Sequence, residues 1–189
     1  MRSTTFTPAS GPGLFVTAGT VRHHGEVRGA YPGTFDPPTI AHLAIAEAAR
    51  AQCALDRVEL VLNREPLGKT SMRPLDARLE MLEAVAANRP WLHVVVTEKL
   101  HLADIAADYD VLILGADKWG QVLDVAFYDS AAARDDAIAR LPTLAVAPRQ
   151  GLSVPDRCVV LDIELSDVSS TAARAGRVDY VVPEARPFM

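Results

Sequence analysis

Val27-Arg28-Gly29-Ala30-Tyr31-Pro32-Gly33-Thr34-Phe35-Asp36-Pro37-Pro38-Thr39-Ile40-Ala41-His42 is the stretch whose reading decides the fold. Val27 to Tyr31 is short and mostly apolar, and reads as a strand. Gly33 to Pro38 holds a glycine, an aspartate and two prolines, so it must be a loop. From Ile40 the chain is alanine-rich with apolar residues at helical spacing, which predicts a helix to about Ala54. A loop that ends a strand and opens a helix suits an anion. Glycine allows close approach of the backbone, and the helix N-terminus offers unpaired N–H groups. Thr39 and His42 are three apart, on one face of the first turn, so a hydroxyl and an imidazole could both reach one phosphate. The plainer alternative makes His42 a helix cap or a half-buried core histidine.

Downstream, the same alternation repeats. Strands are expected at Arg57 to Leu62, Leu92 to Thr97, Asp110 to Leu114, Leu144 to Ala147 and Cys158 to Ile163. Helices are expected at Leu75 to Asn88, Leu100 to Ala107 and Asp129 to Arg140, and a Ser-Ser-Thr turn at 169–171 should open a brief helix that Gly176 stops. Strand-then-helix repetition predicts an α/β fold, a Rossmann-like doubly wound parallel sheet in a single domain covering residues 26–189. Ligands then bind beyond the carboxyl ends of the strands, where the Gly33 loop, Asn63, Gly115-Ala116-Asp117 and Arg149 fall. Residues 1–25 read as an extension ahead of the first core strand, in which Leu14 to Val21 forms either an edge strand or a loose arm.

The composition narrows the function classes. Of 189 residues, 49% are hydrophobic and 23% charged, near globular averages, which argues against disorder over the whole length. The net charge of −5 disfavours general binding to nucleic acid or an anionic membrane, yet leaves room for a local cationic pocket. No apolar run reaches the ~20 residues of a membrane helix, and the first residues lack a signal-peptide pattern, so the expected location is cytoplasmic. Cys53 and Cys158 show no metal-ligand pattern and read as small buried hydrophobes. No protein metal site is expected from side chains, and His23, His24, His93 and His101 have no ligand spacing.

Two motifs then point to a family. Tyr31 to Pro37 with Thr39-Ile40-Ala41-His42 resembles the (H/T)xGH signature of the adenylyltransferases of the nucleotidyltransferase superfamily. The superfamily's second signature, SSTxxR, appears as Ser169-Ser170-Thr171-Ala172-Ala173-Arg174, about 130 residues further on. Alone, the second motif would be an ordinary N-cap followed by an exposed arginine; the ordered pair is far more specific. Arg78-Leu79-Glu80-Met81-Leu82, Gly115-Ala116-Asp117, Pro148-Arg149 and Asp179 to Pro183 resemble the nicotinate or nicotinamide mononucleotide adenylyltransferases. The opening Tyr-Pro-Gly-Thr-Phe-Asp-Pro is closer to phosphopantetheine adenylyltransferase, whose Arg-Gly-Leu-Arg stretch is missing. Three departures stand out: Ala41 in place of the motif glycine, Lys118-Trp119-Gly120-Gln121 in the region of the family's substrate ring, and an early Gly176.

The resemblance implies transfer of AMP from ATP, accompanied by Mg²⁺, to the phosphate of nicotinate or nicotinamide mononucleotide, with release of pyrophosphate in NAD biosynthesis. Alternatives are adenylyl or cytidylyl transfer to another phosphorylated acceptor such as phosphopantetheine, or nucleotide binding without transfer. It implies catalytic roles for His42, Thr39 and Arg174. ATP contacts fall to Gly33, Thr34, Phe35, Asp117, Ser169, Ser170 and Thr171, with Asp117 accepting from the ribose hydroxyls. Lys69, Trp119 and Arg149 are the candidate acceptor contacts, set against a solvated lysine, a packing tryptophan and a surface salt bridge. Arg78 is read as structural. The partners are ATP and a phosphorylated small molecule, with a homo-oligomer left open.

Overall fold

The computed structural model describes residues 25–64, 72–164 and 167–189. Leu14 to Val21, the rest of 1–24, and Lys69 lie outside the described residues. Six parallel strands form one sheet: β1 (Arg28–Gly33), β2 (Arg57–Asn63), β3 (Leu92–Thr97), β4 (Val111–Gly115), β5 (Thr143–Ala147) and β6 (Val159–Val160), ordered β3-β2-β1-β4-β5-β6. The helices are α1 (Ile40–Gln52), α2 (Leu75–Ala86), α3 (Leu102–Ala106), α4 (Ala116–Leu123), α5 (Ala131–Ala139) and α6 (Ser170–Arg174). This is the expected doubly wound α/β sheet.

Alternation along the strands divides the interior in two. Tyr31, Leu60, Leu62 and Ile113 face one core with Ile45 and Ala49 of α1 and Met81, Leu82 and Val85 of α2. Ala30, Val61, Leu112 and Leu114 face the other, with Ile105 of α3 and Trp119 and Val122 of α4. A period of two on a sheet covered on both faces produces this split. The chain winds outward from β1 to β3, then returns to place β4 on the other side of β1, pairing Gly29 with Val111 and Ala30 with Leu112. Beyond the carboxyl ends of β1 and β4 the two connections diverge, opening a crevice.

Two elements differ from expectation. The sixth strand keeps only two residues, because it is an edge that pairs with Ala145 and Val146 before the chain turns toward the crevice. Helix α4 had no expectation from the sequence, since it is short, opens on Gly115 without a side-chain cap, and contains Gly120. It forms because Ala116, Trp119 and Val122 make one buried stripe. Cys53 and Cys158 are free and half-buried, each packed against one of the two cores. Among the described residues no helix is long and apolar enough to cross a membrane.

Candidate functional site

The loop between β1 and α1 is shaped by its own composition. Pro37 and Pro38 carry no N–H, and the loop cannot pair its carbonyls within a strand or helix, so buried acceptors need donors from elsewhere. The Arg78 guanidinium donates to the Thr34 carbonyl at 3.3 Å, Arg174 to that of Asp36, Ser170 Oγ to that of Pro37 at 2.8 Å, and the Val182 amide to that of Pro38 at 3.2 Å. Asp36 itself, 2% exposed, accepts from Arg73 Nη1 at 2.7 Å and from the Arg73 amide at 3.1 Å. Burial pulls the Arg78 guanidinium below its ordinary pKa, opposed by the attraction of Asp36. The loop is thus clasped by α2, α6 and the C-terminal segment together. Arg78 packs as a structural residue, as read from the sequence, and Asp36 and Arg73 support the loop in a way the motif alone did not reveal.

Gly33 has a specific reason to be glycine. A Cβ there would lie 2.7–3.0 Å from three carbons of the Phe35 ring. Phe35 is 1% exposed, with its backbone at φ 47°, a left-handed conformation costly for a bulky residue. Its ring meets Tyr31 edge-on at 5.4 Å and His42 at 5.0 Å. Phe35 therefore supports the imidazole from below. Burial pushes the Tyr31 phenol above its ordinary pKa, and the negative charge of Asp117 adds to the shift.

His42 occupies the third position of α1 and completes a capping box with Thr39. Its Nδ1 lies 2.9 Å from the Thr39 amide nitrogen, while Thr39 Oγ1 accepts from the His42 amide at 3.4 Å. An amide can only donate, so Nδ1 accepts, and the neutral ring carries its proton on Nε2. The cap and phosphate readings of His42 are compatible: one nitrogen closes the helix, and the other is a donor on a residue of the cavity wall.

That cavity, of about 240 Å³, lies at the β1–β4 crevice. Ala41 and His42 line it from α1 and Thr39 from its N-cap, Gly33 from the end of β1, Thr34 and Phe35 from the loop, and Asp117 and Lys118 from α4. Arg149 enters from beyond β5, Ser169 from the N-cap of α6, and Ser170, Thr171 and Arg174 from α6 itself. Among the described residues its charged lining is Lys118, Arg149 and Arg174 against Asp117 alone, so a local cationic site exists in a chain of net charge −5. Asp117 folds back over Gly115, where a Cβ would meet its Oδ1 at 2.5 Å. Gly115 holds the N-cap position of α4, and Asp117 lies in its first turn.

Helix α6 is short but firmly closed. Ser169 Oγ accepts from the Ala172 amide at 3.1 Å at its start. At its end Gly176, at φ 113°, and Arg177 donate to Ala173 and Ala172, the paired bonds of a Schellman motif. Arg174 also lies 3.4 Å from Thr171 Oγ1, so an early Gly176 does not leave it loose.

Trp119 lies away from the cavity. It is 8% exposed, belongs to the core behind α4, and lines neither this cavity nor its neighbour. Its place three residues from both Ala116 and Val122 puts it on the buried stripe. Besides Tyr31 and Phe35 in the first cavity, the aromatic residues Phe127, Tyr128 and His101 line a second, smaller cavity of about 100 Å³. There His101 and Tyr128 stack at 6.0 Å and 20°. The two cavities share Pro32, Gly33, Thr34 and Lys118. The signal that could have found this wall was the Phe127-Tyr128 pair just beyond α4.

A family model described as cytidylyltransferase-like matches residues 30–176. A protein of Salinibacter ruber named as a probable nicotinate-nucleotide adenylyltransferase is 32% identical over 184 residues, spanning 83% of this chain and 91% of its own. One from a Roseiflexus species, named likewise, is 31% identical over 188 residues with the same coverage. Solved structures of the Plasmodium falciparum nicotinic acid mononucleotide adenylyltransferase, complexed with APC or with NaAD, match with a TM-score of 0.63. They do so at 14% identity, over 87% of this chain and 94% of theirs, a likeness of fold. Motif pair, crevice and relatives agree: the chain belongs to the cytidylyltransferase-like family and is a nucleotidyltransferase.

Proposed function

We propose that the enzyme transfers AMP from ATP to nicotinate mononucleotide, releasing pyrophosphate in NAD biosynthesis. The observation that carries this reading is the union of the two motif segments around one cationic cavity, adjoined by an aromatic one through the Gly33 wall. The triphosphate occupies the first cavity. His42 donates from Nε2 to the α-phosphate oxygens, and Arg174 with the amides near Ser170 and Thr171 holds the β- and γ-phosphates. Thr39 orients His42, and Asp117 accepts from the ribose hydroxyls. Arg149 adds charge on the far wall.

The pyridine ring of the acceptor enters the second cavity beside the His101–Tyr128 stack, with its phosphate toward the shared wall. An oxygen of that phosphate attacks the α-phosphorus in line as the bond to the β-phosphate oxygen breaks. No covalent enzyme intermediate is required, so the residues act by positioning and charge stabilisation. Mg²⁺ carried on the triphosphate would neutralise phosphate charge there. A cavity with a single carboxylate fits a metal carried by the substrate and water better than one caged by side chains. The reaction calls for neither nucleic acid nor membrane.

The test is pyrophosphate release with ATP or CTP against nicotinate mononucleotide, nicotinamide mononucleotide and phosphopantetheine. Turnover of nicotinate mononucleotide with ATP and Mg²⁺, abolished by EDTA, is expected. Turnover of phosphopantetheine alone, or ATP binding without turnover of either mononucleotide, overturns the reading.

A further inference from the structure

We infer that Lys118 is the residue that receives the acceptor's phosphate and holds it against the α-phosphate of the donor. The inference rests on the acceptor occupying the second cavity. Four residues line both cavities, and three of them, Pro32, Gly33 and Thr34, bring no charge. Lys118 is the fourth, and the only Asp, Glu, Lys or Arg among the described residues that line the second cavity. A mononucleotide phosphate is dianionic near neutral pH, and its transfer from water into an apolar, aromatic cavity is costly without a cation. The attacking oxygen must also lie where the two cavities meet, since its partner phosphorus is in the first. One side chain meets both requirements.

The position of Lys118 follows from helix α4. Ala116, Trp119 and Val122 take the buried stripe, which turns residues 118 and 121 to the cavity side, where both line the second cavity. Lys118 Nζ donates to Gln121 Oε1 at 3.0 Å, one turn further along the helix, and Gln121 itself lines the second cavity. The ammonium stabilises the phosphate as a point charge with rotatable donors, and no proton transfer is assigned to it.

Calorimetric titration of the wild type, Lys118→Gln and Lys118→Arg tests this. Each is titrated, with a non-hydrolysable ATP analogue present, with nicotinate mononucleotide and with nicotinate riboside, which lacks only the phosphate. Loss of a charge-assisted contact in Lys118→Gln should weaken the mononucleotide by about tenfold or more. Affinity for the riboside and for the ATP analogue should stay within about twofold, and Lys118→Arg should retain most of the wild-type affinity. Equal weakening of mononucleotide and riboside, or no weakening of either, overturns the inference. The same comparison with phosphopantetheine and pantetheine separates the two readings. Lys118-dependent preference for that phosphate, with no affinity for the mononucleotide, refutes the proposed acceptor and supports Lys118. A wild type that binds no phosphorylated acceptor refutes both.

Discussion

Gly33→Ala adds one methyl group at a position whose backbone is not left-handed, so strain in the main chain is not the issue. The new Cβ would lie 2.7, 2.8 and 3.0 Å from three carbons of the Phe35 ring. Ordinary carbon–carbon contact is about 3.5–4.0 Å, so the ring must retreat by roughly 1 Å. It has little freedom to do so, being 1% exposed and held edge-on between Tyr31 and His42. Overpacking of this kind costs about 1–3 kcal/mol in stability. The retreat also carries His42 from its place, and a displacement near 1 Å lowers the rate of a positioned reaction by about a hundredfold. Pyrophosphate release under saturating ATP and Mg²⁺, with urea unfolding in parallel, reads both effects. Phe35→Leu in the Gly33→Ala background removes the obstructing ring edge and should restore part of the stability. Wild-type kcat/KM and an unchanged urea midpoint in Gly33→Ala would refute the reasoning. Stability lost with activity intact would break the proposed link from ring to imidazole. Absence of any rescue of stability by Phe35→Leu would show that the Phe35 ring is not what the methyl group displaces.

Three further outcomes are expected. His42→Ala should lower kcat by about 10²–10³-fold as a phosphate donor is lost, with about 1 kcal/mol of stability lost from the capping box, measured by rapid-quench kinetics and urea unfolding. Asp36→Asn removes the charge facing Arg73 and Arg78. Because Arg73 is 28% exposed, the cost in urea should be about 2–3 kcal/mol, below the roughly 3–5 of a fully buried pair. An unchanged midpoint would contradict the clasp. Trp119→Ala should destabilise by about 3–5 kcal/mol as a core cavity opens. At temperatures where it stays folded, KM for the acceptor should be near that of the wild type, whereas a large selective rise in KM would return Trp119 to the acceptor site.

The doubly wound sheet was legible because its evidence is local: period-two apolar strands, an alanine-rich helix after the Gly33–Pro38 loop, and Gly176 where a helix had to stop. The residues around the cavity were legible for a related reason. Two short motifs carry their own chemistry, and a parallel sheet delivers the ends of its strands to one side. Trp119 and helix α4 were not, since an eight-residue amphipathic turn with an internal glycine declares its buried face only when a core receives it.

The Gly33–His42 segment shows the division most clearly. Its sequence determined by itself that a strand ends, a loop follows and a helix begins with Thr39 and His42 on one face, because glycine, proline and capping preferences act over a few residues. Only the tertiary structure decided how that loop is held and which nitrogen of His42 is the donor. The carbonyls of a proline-rich loop have no local donors, so Arg78, Ser170, Arg174 and Val182 satisfy them from far along the chain. The Thr39 amide claims Nδ1 only once the helix has formed. The second cavity likewise exists only where β1, α3 and α4 meet, and with it the place of Lys118 between the two cavities.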